Sequence, residues 1–341
     1  MQRLEIHSHE HKISSLTINW GLERRPLWAV MESLPLNALI KWVDRFAPFE
    51  AVASEWAVVE AIETGLKLQV PGRVQSLRAI YLEIQRVLWS FDYFAGIFRA
   101  IEDTVRLEEA LRLREMVFEI QETLTGNRVL PQILRVGGIE RDLSLGESKK
   151  LRTTIQQLSD TFRFYFGDVA EDPLILRRLR GVLPITKERA AAISLRGPLG
   201  HASGILEDAR VRDPIGIYST YGIHCYDGPA LGDALTRFKS VQFQVSQSLK
   251  LLALFLAAIQ DGEWRIKVPA DAKIPSGAWL TVVEAGPGPM YALVRNGEIR
   301  LAGHSTRMRG SIRELLLGLD SDDFELGLAS LSVDFAQADI T

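Results

Sequence analysis

Two stretches of this chain set glycines directly beside charged side chains: residues 125–143, TGNRVLPQILRVGGIERDL, and residues 196–210, RGPLGHASGILEDAR. Glycine serves where a backbone must turn tightly or approach a neighbour closely, so each block delivers charged side chains into an interior. At 341 residues, 47% of them hydrophobic, the chain can supply a large core and one or two domains. A net charge near -3 lacks the basic excess that nucleic-acid binding needs, so no nucleic acid partner is expected. Cys225 is the single cysteine. It excludes an internal disulfide framework and any all-cysteine cluster or zinc site built by this chain alone, and it fits a reducing compartment. The opening MQRLEIHSHEHK shows no apolar signal core, so export by that route is not expected.

Periodicity divides the chain into an N-terminal strand region (1–46), a helical core (47–260) and a small α+β part (261–341), read together as one domain. Leu4 and Ile6, then Ile13, Leu16 and Ile18, alternate as a strand pair would. Helical spacing follows over 51–68, 72–98, 106–124, 147–166, 173–180 and 229–260, with Pro71 opening the second helix and Gly126 stopping the third. The apolar run 249–259, interrupted by Lys250, is too short to span a bilayer and reads as buried helix. The period then changes. Residues 264–268, 278–285, 290–295 and 298–302 read as short strands, with Asn296-Gly297 a hairpin signal, and 307–317 reads as helix. The expected fold class is α+β, a mainly helical bundle core with small mixed or antiparallel sheets at its ends.

Three segments resemble, in order, the large subunit of nickel-iron hydrogenases and its relative, the 49 kDa-type subunit of NADH:quinone oxidoreductase. VPGRVQSLRAIYLEIQRVLW is similar to V-P-E-R-A-Q-x-x-R-x-x-x-x-E-x-x-R, with Arg73, Arg78, Glu83 and Arg86 at matching positions. The 196–210 block resembles G-P-x-x-R-A-S-G-x-x-x-D-x-R of membrane-bound group 4 hydrogenases. It keeps Gly197, Pro198, Ala202, Ser203, Gly204, Asp208 and Arg210 but carries His201 for the arginine. LASLSVDFAQADI lies where the family ends in D-P-C-x-x-C.

The departures from the family carry the functional meaning. The nickel-iron centre needs four thiolates, since soft sulfur ligands suit those metals. The resemblance places these positions on Ala47 and Glu50 of Arg45-Phe46-Ala47-Pro48-Phe49-Glu50, and on Asp334 and Gln337 of Ser332-Val333-Asp334-Phe335-Ala336-Gln337. None is a cysteine, so hydrogen chemistry is not expected and no metal site is assigned. Glu50, Asp334 and Gln337 could offer oxygen to a harder ion such as magnesium or manganese. The preferred reading makes them polar replacements satisfied by arginines such as Arg45. The quinone enzyme's tyrosine falls on Pro48, and its G-x-x-H-P…H-G hairpin is not visible, so quinone reduction by the usual residues is not implied.

Other candidates read as structural. His7, His9 and His11 would share one face of a strand, without a companion acid or thiol. His224-Cys225 lacks an orienting acid, and Cys225 is expected to be a buried structural thiol. Gly137-Gly138 lacks the context of a phosphate loop and is expected to be a turn that sets Arg141 and Asp142 against the core, so NADH should bind elsewhere in an assembly. Arg45, Arg78, Arg86, Arg141, Asp208 and Arg210 are expected to form one buried charged network. Ala51, Trp56, Phe91, Tyr93 and Phe94 read as pocket or interface residues, with core packing an equal account.

The resemblance implies a cofactor-poor large subunit of a complex I-like or hydrogenase-like membrane assembly. It would scaffold a small iron-sulfur subunit that carries the cluster. It would also contact other cytoplasmic-arm subunits and integral membrane subunits, and couple redox or another energy input to ion translocation. Its place would be cytoplasmic, peripheral to the inner face of the cell membrane. The alternative is an oxidoreductase subunit reducing quinone or another acceptor in an altered cleft, with Arg45, Glu50, His201, Asp208 and Arg210 as candidate site residues. A third reading is a soluble assembly or regulatory paralogue.

Overall fold

The computed structural model describes residues 4–20, 27–32, 34, 36–129, 132–269, 273 and 276–338, so positions 130–131 within the 125–143 stretch and 339–341 at the end of the C-terminal segment lie outside the described residues. The chain opens with an antiparallel hairpin, β1 (Leu4–His9) and β2 (Lys12–Ile18), closed by Glu10 and His11, both at positive φ (49° and 59°). His11 therefore sits in the turn, not on the strand face of His7 and His9 as expected. Two helices follow in the region read as strand only: α1 (Leu27–Glu32) and α2 (Leu36–Val43). Leu39, Ile40 and Val43 are spaced along one helical face and buried, a pattern hidden by the shortness of the segment.

The core is built from α3 (Ala51–Leu66), α4 (Gly72–Ala100), α5 (Thr104–Thr125) and, after the two-residue strands β3 (Leu134–Arg135) and β4 (Gly138–Ile139), α6 (Leu145–Phe166). Local chemistry sets these limits. Pro71 precedes α4 at φ −57°, the Asp103 carboxylate accepts the Arg106 amide at the start of α5, and Gly126 ends α5 at φ 82°. Ser144 and Glu147 form a reciprocal capping box on α6. Short helices α7 (Pro173–Leu179), α8 (Lys187–Ala192), α9 (Gly197–His201) and α10 (Ala209–Arg212) lead to the long α11 (Ala234–Ala258). That helix starts later than position 229 because Gly232, at φ 64°, turns the chain and Asp233 then caps the amide of Thr236.

Helix α4 is buried along nearly its whole length, flanked by α5 and α11. Phe91, Phe94 and Phe98 of α4 meet Phe162 and Phe166 of α6 and Phe238 of α11, with the Phe94 ring centroid 4.8 Å from Phe238 and 5.1 Å from Phe166. Ala51, Trp56, Phe91 and Phe94 are thus core residues. Tyr93 alone of the five also lines a cleft.

The C-terminal part is an antiparallel sheet in the order β5 (Ala278–Glu284), β6 (Pro289–Arg295), β7 (Glu298–Ala302), with Asn296 and Gly297 at positive φ in the β6–β7 turn. It packs on α3. Residues 264–268 form no strand: their one bridge pairs Arg265 with Gly138, because β4 is two residues long and offers nothing further. The helix expected over 307–317 is two, α12 (His304–Met308) and α13 (Ile312–Leu316), separated at Gly310. Helices α14 (Phe324–Leu331) and α15 (Phe335–Ala338) close the described chain, α14 against α4. The fold class is α+β as expected, a helical core with small antiparallel sheets.

Phe94→Ala should cost about 3–5 kcal/mol in denaturant unfolding, since it removes a ring from a packed cluster. Phe164→Ala, at a side chain left 81% exposed, should stay within about 0.5 kcal/mol.

Candidate functional site

The four positions that the resemblance gives to thiolates come together although they lie near opposite ends of the chain. Ala47 and Glu50 stand at the turn Pro48–Glu50 that leads into α3, and Asp334 and Gln337 at α15. The Gln337 amide donates to Glu50 Oε1 at 3.1 Å. The Asp334 amide donates to Ser305 Oγ (2.8 Å), and the Asp334 carboxylate accepts the Gln337 amide N–H (3.2 Å). Gly303 permits this approach: a Cβ there would lie 2.6 Å from Gln337 Nε2 and 3.3 Å from Glu50 Oε2. Ala47, Glu50 and Asp334 open on a cavity of about 820 Å³, whose walls include Trp89, Tyr93 and Ser305.

This donor set does not fit a nickel-iron centre. A methyl group, a carboxyl, a carboxylate and an amide supply no soft ligand, and the Gln337 N–H turned toward Glu50 is a donor that no metal accepts. Burial pushes the Glu50 carboxyl up to about 7, against the opposing pull of Gln337 and Arg307. Arg307, not Arg45, is the arginine that faces it. Arg45 lies over the Trp42 ring at 5.4 Å, beside Asp44. Asp44 and Glu55 make a separate buried acidic pair there, raised by burial to about 6 and about 8.

The six-residue charged network divides into parts. Its centre is Arg210 on α10, whose guanidinium donates to Asp208 (3.0 and 2.7 Å) and to Glu83 (2.9 Å) on α4. Glu83 also accepts from the Tyr218 hydroxyl (2.8 Å) and lies 3.3 Å from Arg86 Nε. Arg86 donates onward to the carbonyls of Glu284 and Ala285 and to Gln244 Oε1. Burial alone would raise Asp208 and Glu83, but Arg210 and Arg86 hold both below the ordinary carboxylate range. His201, buried and hydrogen-bonded to the Glu207 carbonyl at 3.1 Å, is lowered by burial and stays neutral beside this cluster.

Arg78 belongs elsewhere: it forks onto Glu63 (2.8 and 2.7 Å) and the carbonyls of Arg135 and Gly138. Gly138 is required there, because a Cβ would meet the Arg265 backbone at 2.7 Å. Arg141 departs furthest from expectation. It reaches the surface and pairs with Glu147, while Asp142 does turn inward, to Arg73 at 2.9 Å. Its partners hold it there: Arg141 donates to the Thr123 carbonyl (3.1 Å) at the C-terminal end of α5, where free carbonyls favour a cation, and to Glu147 in the first turn of α6.

Of the five candidate site residues, Asp208 and Arg210 are joined, His201 borders them, Glu50 lies in the cleft, and Arg45 sits with Asp44. Glu284, Arg307, Glu63 and Tyr218 were not legible as partners. Each is a single polar residue in an ordinary strand, helix or turn, and only the 285–288 stretch AGPG hinted at a close approach. There Gly197, at φ 63°, would place a Cβ 2.6 Å from Gly288 Cα. Cys225, expected to be buried, is only half-buried, and burial pushes its thiol up to about 11.

The sequence profile of the family described as "Respiratory-chain NADH dehydrogenase, 49 Kd subunit" matches residues 104–296. The chain is 28% identical over 325 residues to the D-type subunit of NADH-quinone oxidoreductase from Carboxydothermus hydrogenoformans, across 94% of this chain and 89% of that one. It is 26% identical over 317 residues to the corresponding protein of Clostridium beijerinckii, across 91% and 85%. A chain of the membrane-bound sulfane sulfur reductase, an archaeal respiratory membrane complex, superimposes with a TM-score of 0.92 over 99% of this chain and 94% of that one, at 23% identity. At that identity the likeness speaks for the fold.

Two outcomes are expected from these environments. Arg210→Met strands Asp208 and Glu83 without their cation and should cost about 3–5 kcal/mol in unfolding free energy. Glu50, Glu284, Glu55 and Asp44 all hold protons in the folded chain that the unfolded chain has released, so stability should fall as pH rises from about 5 to about 8. Glu55→Gln should flatten that slope in pH-resolved melts. An unchanged slope would contradict the assignment.

Proposed function

The chain belongs to the family of the respiratory-chain NADH dehydrogenase 49 kDa subunit, and from that membership we propose that it is a large subunit of a membrane-bound respiratory complex that works without nickel-iron catalysis. In this reading it scaffolds a small iron-sulfur subunit, which carries the cluster, and couples redox or another energy input to ion translocation. It reaches the cytoplasmic face of the membrane through integral membrane subunits and other cytoplasmic-arm subunits. The relatives are by name subunits of NADH-quinone oxidoreductase, which supports the assembly class.

One observation carries the loss of metal chemistry. The hydrogen bond between Glu50 and Gln337 spans 287 positions of sequence and occupies the place where thiolates would converge. The scaffold is kept and the sulfur is replaced. A second reading is favoured by the cavity of about 820 Å³ beside that pair: reduction of quinone or another acceptor in the altered cleft. Glu50 would then face the acceptor. Asp208, Arg210 and His201 would act from the neighbouring cluster, and Arg45 would serve from the Asp44 side.

Affinity purification of the chain from its native membrane, followed by mass spectrometry, is expected to recover a small iron-sulfur protein and at least one integral membrane protein in fixed ratio. Quinone-dependent turnover of that assembly, lost in Glu50→Gln with clusters intact, would favour the second reading. A chain purified from the same membranes as a lone monomer would overturn both.

A further inference from the structure

Three residues around one groove are poor choices for the chain's own fold. Phe164 leaves 81% of its surface in water near the C-terminal end of α6, and Val105 leaves 72% in the first turn of α5. A β-branched residue is a weak helix former, and an exposed one recovers little of that cost by packing. Glu102, in the turn between α4 and α5, holds φ 60°, a left-handed conformation that glycine adopts without strain. Local choices that disagree with the fold, gathered in one place, mark a surface that answers to another molecule.

Glu102 and Val105 line a groove of about 540 Å³ together with Leu174 and Tyr165, both exposed. The Phe164 ring stands edge-on to Tyr165, their centroids 4.8 Å apart, and extends the same apolar surface. Charge selects what can cover it. Four carboxylates surround the groove: Glu102, Asp103, Glu109 and, across Arg106, Asp172. Asp103 and Asp172 also cap α5 and α7. The two guanidiniums beside them are committed. Arg106 bridges Asp103 and Asp172, while Arg112 pairs with Glu109 at 2.9 Å and lies 5.0 Å over the Tyr165 ring. Arg163, the next exposed cation on α6, is turned to Asp160 (3.6 Å). The rim is therefore acidic. Such a rim repels an anionic membrane leaflet or an acidic protein surface and attracts a basic one.

We infer that this groove docks a basic amphipathic segment of a partner protein. The segment seats an apolar side chain between Val105, Leu174 and Tyr165, sets a lysine or arginine against Glu102, and packs its flank on Phe164. The apolar anchor supplies affinity, and the charge pair supplies register and choice of partner. The groove shares no lining residue with the cleft at Glu50, so the inference does not rest on the respiratory reading.

The test is photo-cross-linking of the full chain in its native cell, with Phe164→p-benzoylphenylalanine as the probe and sequencing of the cross-linked peptide. The expected product is a peptide of another protein in which lysine or arginine flanks apolar residues. Glu102→Gln should cut its yield several-fold and Glu102→Lys about tenfold, the weight of a central interface contact. Both changes fall on an exposed side chain, so the melting temperature should hold and serves as the control. A cross-link to an acidic peptide, to lipid or to a second copy of this chain would overturn the inference. So would the absence of any product, or a basic product whose yield ignores Glu102→Lys. A basic product from a soluble partner, with no respiratory complex recovered, would sink the respiratory reading and leave this one standing.

Discussion

A guanidinium in a protein core must be met by carboxylates and carbonyls, or its desolvation outweighs what packing returns. Arg210 meets that demand by spanning Asp208 on its own turn and Glu83 in the middle of α4. The same contact draws in Arg86, Tyr218 and, through Ala209, the end of β5 at Glu284. Helix, turn and sheet are thereby held in one register. Glu284 is oriented from that register, through its carboxylate on the Ala209 amide and its carbonyl on Arg86.

Much of the fold was legible. Pro71, Gly126 and the Asn296-Gly297 turn announce their elements with local chemistry, and the structure follows them. The Asp103 and Ser144 caps start α5 and α6 two residues before the 106 and 147 read from periodicity. The exceptions share a cause. α1 and α2 are too short to display a period, and residues 264–268 alternate plausibly but find only a two-residue partner in β4. Gly310 splits what looked like one helix. Half of the site was legible too. Motif order placed Ala47, Glu50, Asp334 and Gln337 together, and retained residues joined Asp208 to Arg210. Sequence could not distribute six charged residues among four neighbourhoods, because which carboxylate meets which arginine depends on inter-helix packing. Glu63 and Arg78 lie on two different helices, and no spacing rule links them.

The cleft joins two segments from opposite ends of the chain through polar side chains. Replacing four thiolates at once would leave a metal-sized hole, yet the loop at Pro48–Glu50 and helix α15 remain in contact through a carboxyl and an amide. Glycine at 303 lets them close. The contact is polar, a carboxyl and an amide at positions the resemblance gives to thiolates.

The central claim is that carboxyl and amide side chains, not a metal centre, join these two segments. Anomalous X-ray diffraction from crystals of the chain, collected at the nickel and iron absorption edges, tests it directly. The account predicts no anomalous peak among Ala47, Glu50, Asp334 and Gln337, with Glu50 and Gln337 within hydrogen-bonding distance. A nickel or iron peak coordinated between those four residues would contradict it.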